Sequence, residues 1–386
     1  MTGNASTKSL QMACIAMVLL LGGCSNSVTG AGHDVAKMAP AAGAKLDGKT
    51  RTYFVAADVV DWDYAPTGKN LITGERLGDA EATWTKPGDD RLGVKYKKSQ
   101  YRAYTDNTFT TLQPIDPKWT HLGILGPALQ AEVGDTFKVT FKNNTPFPAS
   151  MHPHGVLYTK ANEGAGYADN SADADKADDS VATGATYTYT WAVPERAAPG
   201  PMEGSSTMWM YHSHVNEGAD VYAGLMGPII VTRKGQANPD GSPKDVDRQF
   251  IVNYEVMNEN GSLWIDKNKE SLSKQPADGD EGFNESNLMH SINGYVFGNL
   301  PGLTMKVGER VRWYVMGMGT EVDIHTPHWH GNVVTANGMK TDVVSVFPAT
   351  MVTADMVPDN VGTWYFHCHV NDHLIAGMSA LYTVTA

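Results

Sequence analysis

A chain of 386 residues is too long for one ordinary domain and suits two of about 150 residues each. Its 41% apolar residues, 39 Gly and 20 Pro describe a folded, turn-rich protein and exclude a disordered one. A formal net charge of −12, with no basic cluster, argues against nucleic acid or an anionic membrane surface as partner and leaves cationic substrates unopposed.

In chain order, residues 1–24 read as a signal peptide. Lys8 precedes an apolar run from Met12 to Leu21, too short for a transmembrane helix but suited to a signal-peptide core. Leu21-Gly22-Gly23-Cys24 then resembles a lipobox, in which Cys24 would be lipidated and anchor an exported protein at a membrane. An ordinary cleaved signal with an incidental Cys is the alternative. Residues 25–50, rich in Ala, Gly and Ser, suit a flexible tether.

From residue 51 onward the signals are short β-rich runs between Gly, Pro, Asn and Asp. They are Thr136–Phe141, Thr186–Trp191, Met208–Val215, Ile229–Thr232, Phe250–Tyr254, Arg310–Val315, Thr363–Val370 and Leu381–Val384. Strands this short and this frequent predict an all-β fold of sandwiches or barrels. A polar Pro/Gly-rich stretch from Gln236 to Asp245 is the best linker, giving domains over 51–235 and 249–386 with 236–248 between them.

The halves repeat each other. Val133-Gly134-Asp135 leads through a strand to His152-Pro153-His154-Gly155, as Val307-Gly308-Glu309 leads to His328-Trp329-His330-Gly331. Further on, His212-Ser213-His214-Val215-Asn216 matches His367-Cys368-His369-Val370-Asn371. Two copies of one β-domain, each with two His-x-His pairs, is the simplest account.

Ten of the 13 histidines fall in these motifs and their flanks: His152/His154, His212/His214, His325/His328/His330 and His367/His369/His373. Alternate residues of a strand share a face, so each pair aims two imidazoles at one point. Eight imidazoles, four per half, meet the demand of a three-copper cluster with positions left open for O2. One pair alone would be better read as a structural histidine pair; four in register would not.

Of the three cysteines, Cys14 and Cys24 belong to the targeting segment, so Cys368 is the only thiol of the body and no internal disulfide can form. Lying between His367 and His369, it points to the opposite face of their strand. His373 and Met378 can curl round the same point, and His325 precedes His328 by one turn. A Cys, two His and a distant Met make a blue-copper site. The first half has Ser213, Gly218 and Ala149 where the second has Cys368, His373 and His325, so one mononuclear copper per chain is expected.

These motifs resemble the paired signatures of multicopper oxidases. Wider stretches resemble ceruloplasmin units: Asn162-Glu163-Gly164-Ala165, Tyr187-Thr188-Tyr189, Val193-Pro194-Glu195-Arg196, Ser291-Ile292-Asn293-Gly294 and Gly317-Met318-Gly319. The resemblance spans residues 120–234 and 249–386. It implies two cupredoxin-like Greek-key β-sandwich domains, four coppers per chain and a homotrimer whose cluster is built between domain 1 of one chain and domain 2 of its neighbour. It also implies type 2 copper on His152 and His328, a type 3 pair on His154, His212, His214, His330, His367 and His369, and type 1 copper on His325, Cys368, His373 and axial Met378.

Ceruloplasmin-like units carry an iron site beside the type 1 copper. Glu285, His290 and Asp372 match it, as does Glu321, supplied by the adjacent unit. Three carboxylates and one imidazole favour Fe(III) over Fe(II), which makes ferroxidase the first expectation for the electron donor. A small laccase oxidising phenols is the alternative. A cuprous oxidase would use Met202, Met208, Met210, Met316 and Met318, which read instead as core. Ser213 argues against a copper nitrite reductase, whose blue copper lies in the first domain. A non-catalytic copper protein conflicts with the full ligand set. The acidic loop from Lys160 to Asp179 matches a calcium loop through the Lys160 carbonyl, Asp175, Asp178 and Asp179; its plain alternative is a solvated loop. Glu163 is a weak candidate for proton delivery, the position often acidic in laccases is Asn371, and His33, His121 and Trp62 carry no readable role.

Overall fold

The computed structural model describes residues 46–386. The expected targeting segment and most of the tether lie outside them. The last tether residues are tied down: Gly48 N–H donates to Gly134 O at 3.0 Å and Lys49 N–H to Asp135 Oδ1 at 2.6 Å.

Eight strands build the first sandwich: β1 (Thr50–Asp63), β2 (Lys95–Ala103), β3 (Leu129–Glu132), β4 (Thr136–Asn143), β5 (His152–Pro153), β6 (Thr186–Ala192), β7 (Ser206–His212) and β8 (Met226–Thr232). They form sheets ordered β2-β1-β4-β6 and β3-β8-β7-β5. Ten build the second: β9 (Arg248–Asn258), β10 (Leu288–Ile292), β11 (Thr304–Lys306), β12 (Val311–Gly317), β13 (Pro327–Trp329), β14 (Val334–Ala336), β15 (Met339–Thr341), β16 (Thr350–Met356), β17 (Gly362–Cys368) and β18 (Ser379–Thr385). Their sheets run β10-β9-β12-β16-β14-β15 and β11-β18-β17-β13. The two topologies superpose strand for strand, the second adding only the β14–β15 hairpin. No sheet among the described residues takes strands from both halves. Among the described residues, five short α-helices, α1 (Ala82–Thr85), α2 (Glu217–Ala223), α3 (Ile265–Lys269), α4 (Glu281–Ser286) and α5 (Asn371–Ile375), sit in the connections.

Alternation decides what each strand buries. In β4, Phe137, Val139 and Phe141 point into the first core while intervening residues reach solvent. β12 is buried on both faces: Trp313 and Val315 enter the second core. Its other face sends Tyr314 and Met316 into a third cluster with Met208, Met210, Ile230 and Ile251, which joins the two halves. Four of the five expected core methionines therefore fill the seam between sandwiches, whereas Met202 is exposed. His121 also belongs to this seam. Burial pushes its pKa down to about 3, and its neutral Nε2 accepts Ile251 N–H at 3.0 Å. Trp62 donates across the same seam to Gly294 O at 2.7 Å.

Between β8 and β9, the stretch expected as a linker is an ordered turn. Ala237 bridges Pro243, and Thr232 Oγ1 donates to Gly241 O at 2.9 Å. Two predicted strands end early. Met208–Val215 stops at His212 and Thr363–Val370 at Cys368. In both places the chain leaves the sheet to turn its second histidine inward.

Candidate metal centres

Each His-x-His pair straddles a strand end. His152, His212, His328 and His367 lie in β5, β7, β13 and β17, while His154, His214, His330 and His369 fall just beyond. Strand alternation therefore does not by itself aim the pairs, as the sequence suggested; strand register does. It sets His152 opposite His212 and His328 opposite His367. Ring centres are 5.4 Å apart in His152/His154, 5.6 Å in His212/His214, 4.5 Å in His328/His330 and 5.4 Å in His367/His369. His152 lies 5.6 Å from His212 and His328 lies 5.2 Å from His367, closing two quartets of imidazoles.

The quartets have the chemistry of cation sites. Nε2 of His154 is 3.1 Å from Nε2 of His212, and Nε2 of His330 is 3.1 Å from Nε2 of His367. His212 and His367 direct Nδ1–H to the carbonyls of Ser213 and Cys368, at 3.0 and 2.8 Å, which leaves Nε2 as a bare lone pair. Burial pushes the pKa of His154, His212 and His367 down to about 4, so these three rings are neutral at neutral pH. A metal ion fits there. Among the described residues the metal-sized groupings are His152/His154/His212, His328/His330/His367 and His325/Cys368/His373, and none mixes the quartets. The second quartet opens into a pocket of about 400 Å³ lined by His328, His330, Asp342 and Asp359.

The third grouping is fully enclosed. Cys368 Sγ lies 3.9 Å from His325 Nδ1 and 3.7 Å from His373 Nδ1, which are 3.1 Å from each other. Thr326 N–H donates to the sulfur at 3.4 Å. Met378 is buried and its carbonyl accepts Cys368 N–H at 3.1 Å. His325 is not one helical turn from His328. It sits in extended backbone, bridged to Val346, with β13 following directly.

Sequence reasoning missed Asp323, which orients this site. Its Oδ1 lies 3.1 Å from His325 Nε2 and accepts Val256 N–H at 2.7 Å, while Oδ2 accepts Thr320 N–H at 2.7 Å. Its place two residues before His325 was the available signal. Two other carboxylates reach the quartets unannounced: Glu217, 3.4 Å from His214 Nε2, and Asp342, 3.5 Å from His328 Nε2.

In the first half the equivalent of the Cys368 site is filled by protein. Ser150 N–H donates to Ser213 Oγ at 3.1 Å, as Thr326 does to Cys368, and Ser213 donates to buried Asp220 at 2.7 Å. Ala149 is buried beside it and Gly218 is exposed.

The four expected iron residues divide. The ring of His290 lies 5.3 Å from that of His373, and His290 sends Nδ1–H to Leu288 O at 2.9 Å, freeing Nε2. Burial lowers the pKa of His290, against the pull of nearby Glu285, and lowers that of His373, against Asp323 and Asp372. Glu321 is exposed, and its charge adds to the burial that raises the pKa of Tyr222. Of the expected calcium residues, Asp178 is buried, its Oδ2 accepting Gly164 N–H at 2.7 Å and its Oδ1 without a partner. Asp175 is exposed, and the Lys160 ammonium pairs with Glu163 at 2.6 Å and Asp169 at 2.9 Å. Glu163 thus spends its carboxylate on Lys160 while its carbonyl accepts from His152 Nδ1 at 2.6 Å.

Two family models, both described as multicopper oxidase, match residues 119–236 and 268–386. The chain belongs to the multicopper oxidase family. Hephaestin from Mus musculus is 43% identical over 345 residues, covering 88% of this chain and 30% of that protein. Ferroxidase HEPHL1 from Homo sapiens is 43% identical over 341 residues, covering 87% and 29%. Ceruloplasmin from Homo sapiens is 40% identical over 344 residues, covering 86% and 32%. The chain thus spans about a third or less of the length of these relatives. Among solved structures, the blue copper oxidase from Nitrosomonas europaea aligns with a TM-score of 0.54 at 19% identity, over 87% of this chain and 86% of that one. The multicopper oxidase mgLAC aligns with a TM-score of 0.55 at 21% identity, over the same shares. These two likenesses establish the cupredoxin-like fold.

Proposed function

We propose that the protein is a ferroxidase: four Fe(II), four protons and one O2 give four Fe(III) and two waters. His325, Cys368 and His373, with Met378, would hold type 1 copper. His152 and His328 would hold type 2 copper, and His154, His212, His214, His330, His367 and His369 the type 3 pair. Bound there, copper supplies one-electron oxidation at the first site and O2 reduction at the cluster. Cys368 is flanked in sequence by His367 and His369, so a covalent backbone path joins the two.

The observation that carries the Fe(II) reading is the contact between the His290 and His373 rings at 5.3 Å, with Glu285 beside His290. It would set an oxygen- and imidazole-lined cation seat against a copper ligand. Glu285, His290 and Asp372 are the residues we assign to it. Glu321 would join it from an adjacent chain. The 43% identity to ferroxidase HEPHL1 supports the same substrate. Steady-state oxidation of Fe(II) against a bulky phenol, following O2 uptake, tests this with Glu285→Ala alongside. Loss of the Fe(II) preference with phenol oxidation intact supports it. A phenol preference indifferent to Glu285→Ala supports a small laccase instead.

Two quartets that stay apart within one chain support assembly as a trimer, domain 1 (51–235) of one chain meeting domain 2 (249–386) of the next. Sedimentation of copper-loaded protein tests this. We further propose export and lipid anchoring at Cys24, readable as mass added to the mature N-terminus. Among the described residues no helix is long and apolar enough to cross a membrane. Unpartnered Asp178 Oδ1 supports a calcium ion at Asp178 and Asp179 with the Lys160 carbonyl, Asp175 closing on it from the surface.

A further inference from the structure

The arm between β1 and β2 lies outside both matched family regions, yet it lies against the residues that adjoin the Cys368 site. Its helix α1 packs on α4, the helix that carries Glu285. Trp84 of α1 donates its indole N–H to Glu285 Oε1 at 3.3 Å. The same ring meets His290 edge-on at 6.2 Å and Phe297 at 6.4 Å. Both partners adjoin the loop that holds His373 and Met378. His290 lies against His373, and Phe297 N–H donates to Gly377 O at 2.8 Å.

The arm is fastened on several sides. Leu71 N–H donates to Phe297 O at 2.9 Å, Lys274 pairs with Asp90 at 2.9 Å, and Ser273 donates to Asp89 at 2.8 Å. Arg91 pairs at 3.4 Å with Asp280, whose carboxylate caps α4 by accepting Phe283 N–H at 2.8 Å. The indole is therefore held relative to Glu285 by the fold and not by a free side chain.

We propose that Trp84 is a positioning and specificity-determining residue for the Fe(II) seat, an inference that rests on the ferroxidase reading. Exposed Glu285 would otherwise sample many rotamers. One N–H to Oε1 holds the carboxylate beside His290 and leaves Oε2 to face a cation. The ring also covers His290, which itself covers His373, so a bare cation can reach the imidazole while a ring-sized reductant cannot stack on it.

Two variants separate these roles in the copper-loaded full chain. Trp84→Phe keeps a ring and removes the donor; Trp84→Ala removes both. With the type 1 absorption band unchanged as evidence of an intact site, Trp84→Phe raises the KM for Fe(II) about tenfold at near-constant kcat and leaves phenol oxidation low. Trp84→Ala raises that KM and also raises kcat/KM for a bulky phenol about tenfold. Independently of turnover, calorimetric binding of Co(II), a stand-in that the enzyme does not oxidise, weakens about tenfold in both. If Co(II) affinity and Fe(II) KM match the parent in both variants while Glu285→Ala weakens them, the iron reading stands and Trp84 does not position its carboxylate. If Glu285→Ala is equally silent, the iron reading fails and this inference with it. Should Trp84→Ala lose the type 1 band, Trp84→Phe and its Co(II) affinity carry the decision.

Discussion

Asp323 Oδ1 stands 3.1 Å from His325 Nε2, and this buried carboxylate decides which nitrogen of His325 faces Cys368. With Nε2–H turned toward Asp323, Nδ1 is left as a lone pair 3.1 Å from Nδ1 of His373. The same carboxylate accepts Val256 and Thr320 N–H, so the ligand is oriented by a group that the loop and β9 already hold.

Replacing Asp323 by Ala should therefore weaken copper at this site about 10- to 100-fold while sparing the histidine quartets. Copper content after dialysis against a graded chelator, read together with the thiolate absorption band, checks it.

Cys368→Ser would make the second half resemble the first, where Ser213 fills the same place. The blue absorption should vanish and Fe(II)-dependent O2 uptake fall to background, with copper still bound at the quartets. The reverse change, Ser213→Cys, should create no blue site, because Ala149 and Gly218 offer no imidazole. Visible and paramagnetic resonance spectra of the two variants distinguish these outcomes.

The metal-free protein should lose stability in acid over a defined window. Burial holds the pKa of His154, His212, His367 and His373 at about 4 in the fold, below the ordinary value of 6.5. Between those limits the unfolded chain binds more protons than the folded one, so stability rises with pH from about 4 to about 6.5 and is flat from these groups above it. Thermal unfolding of metal-free protein across that range is the measurement. A melting temperature flat from 4 to 6.5 would contradict the burial of these rings.

Arg312 joins the two halves at the far edge of the seam. Only 2% exposed, it donates to Asp355 at 2.6 Å, Asp245 at 3.2 Å and Ser206 at 2.7 Å. Arg312→Met should cost about 2 kcal/mol, because it removes charge-assisted hydrogen bonds to two partly exposed acids and leaves Ser206 with fewer partners. Denaturant unfolding, with type 1 absorption checked in the native baseline, measures it.

Adding calcium should raise the melting temperature of the parent protein and not of Asp178→Asn, if the unpartnered Asp178 oxygen faces an ion. An equal rise in both would place calcium elsewhere.

What the sequence by itself determined is what depends on local order. Four His-x-His motifs, their register across a repeat, and Cys368 set between two histidines are legible because ligands close in sequence stay close in space. The all-β class was legible for the same reason, since alternation and turn residues act over a few positions. The third core was not: Tyr314 and Met316 look like any residues of a strand until β12 is found with both faces covered. The turning of His154, His214, His330 and His369 out of their strands was hidden too, because the strand ends are fixed by cross-strand pairing. Glu217, Asp342 and Trp84 came only from the tertiary structure, and so did the role of Asp323, which its place two residues before His325 only hinted at. Each acts on a ligand or a carboxylate through a side-chain contact whose partner the fold selects, and for Trp84 that partner, Glu285, lies 201 residues away.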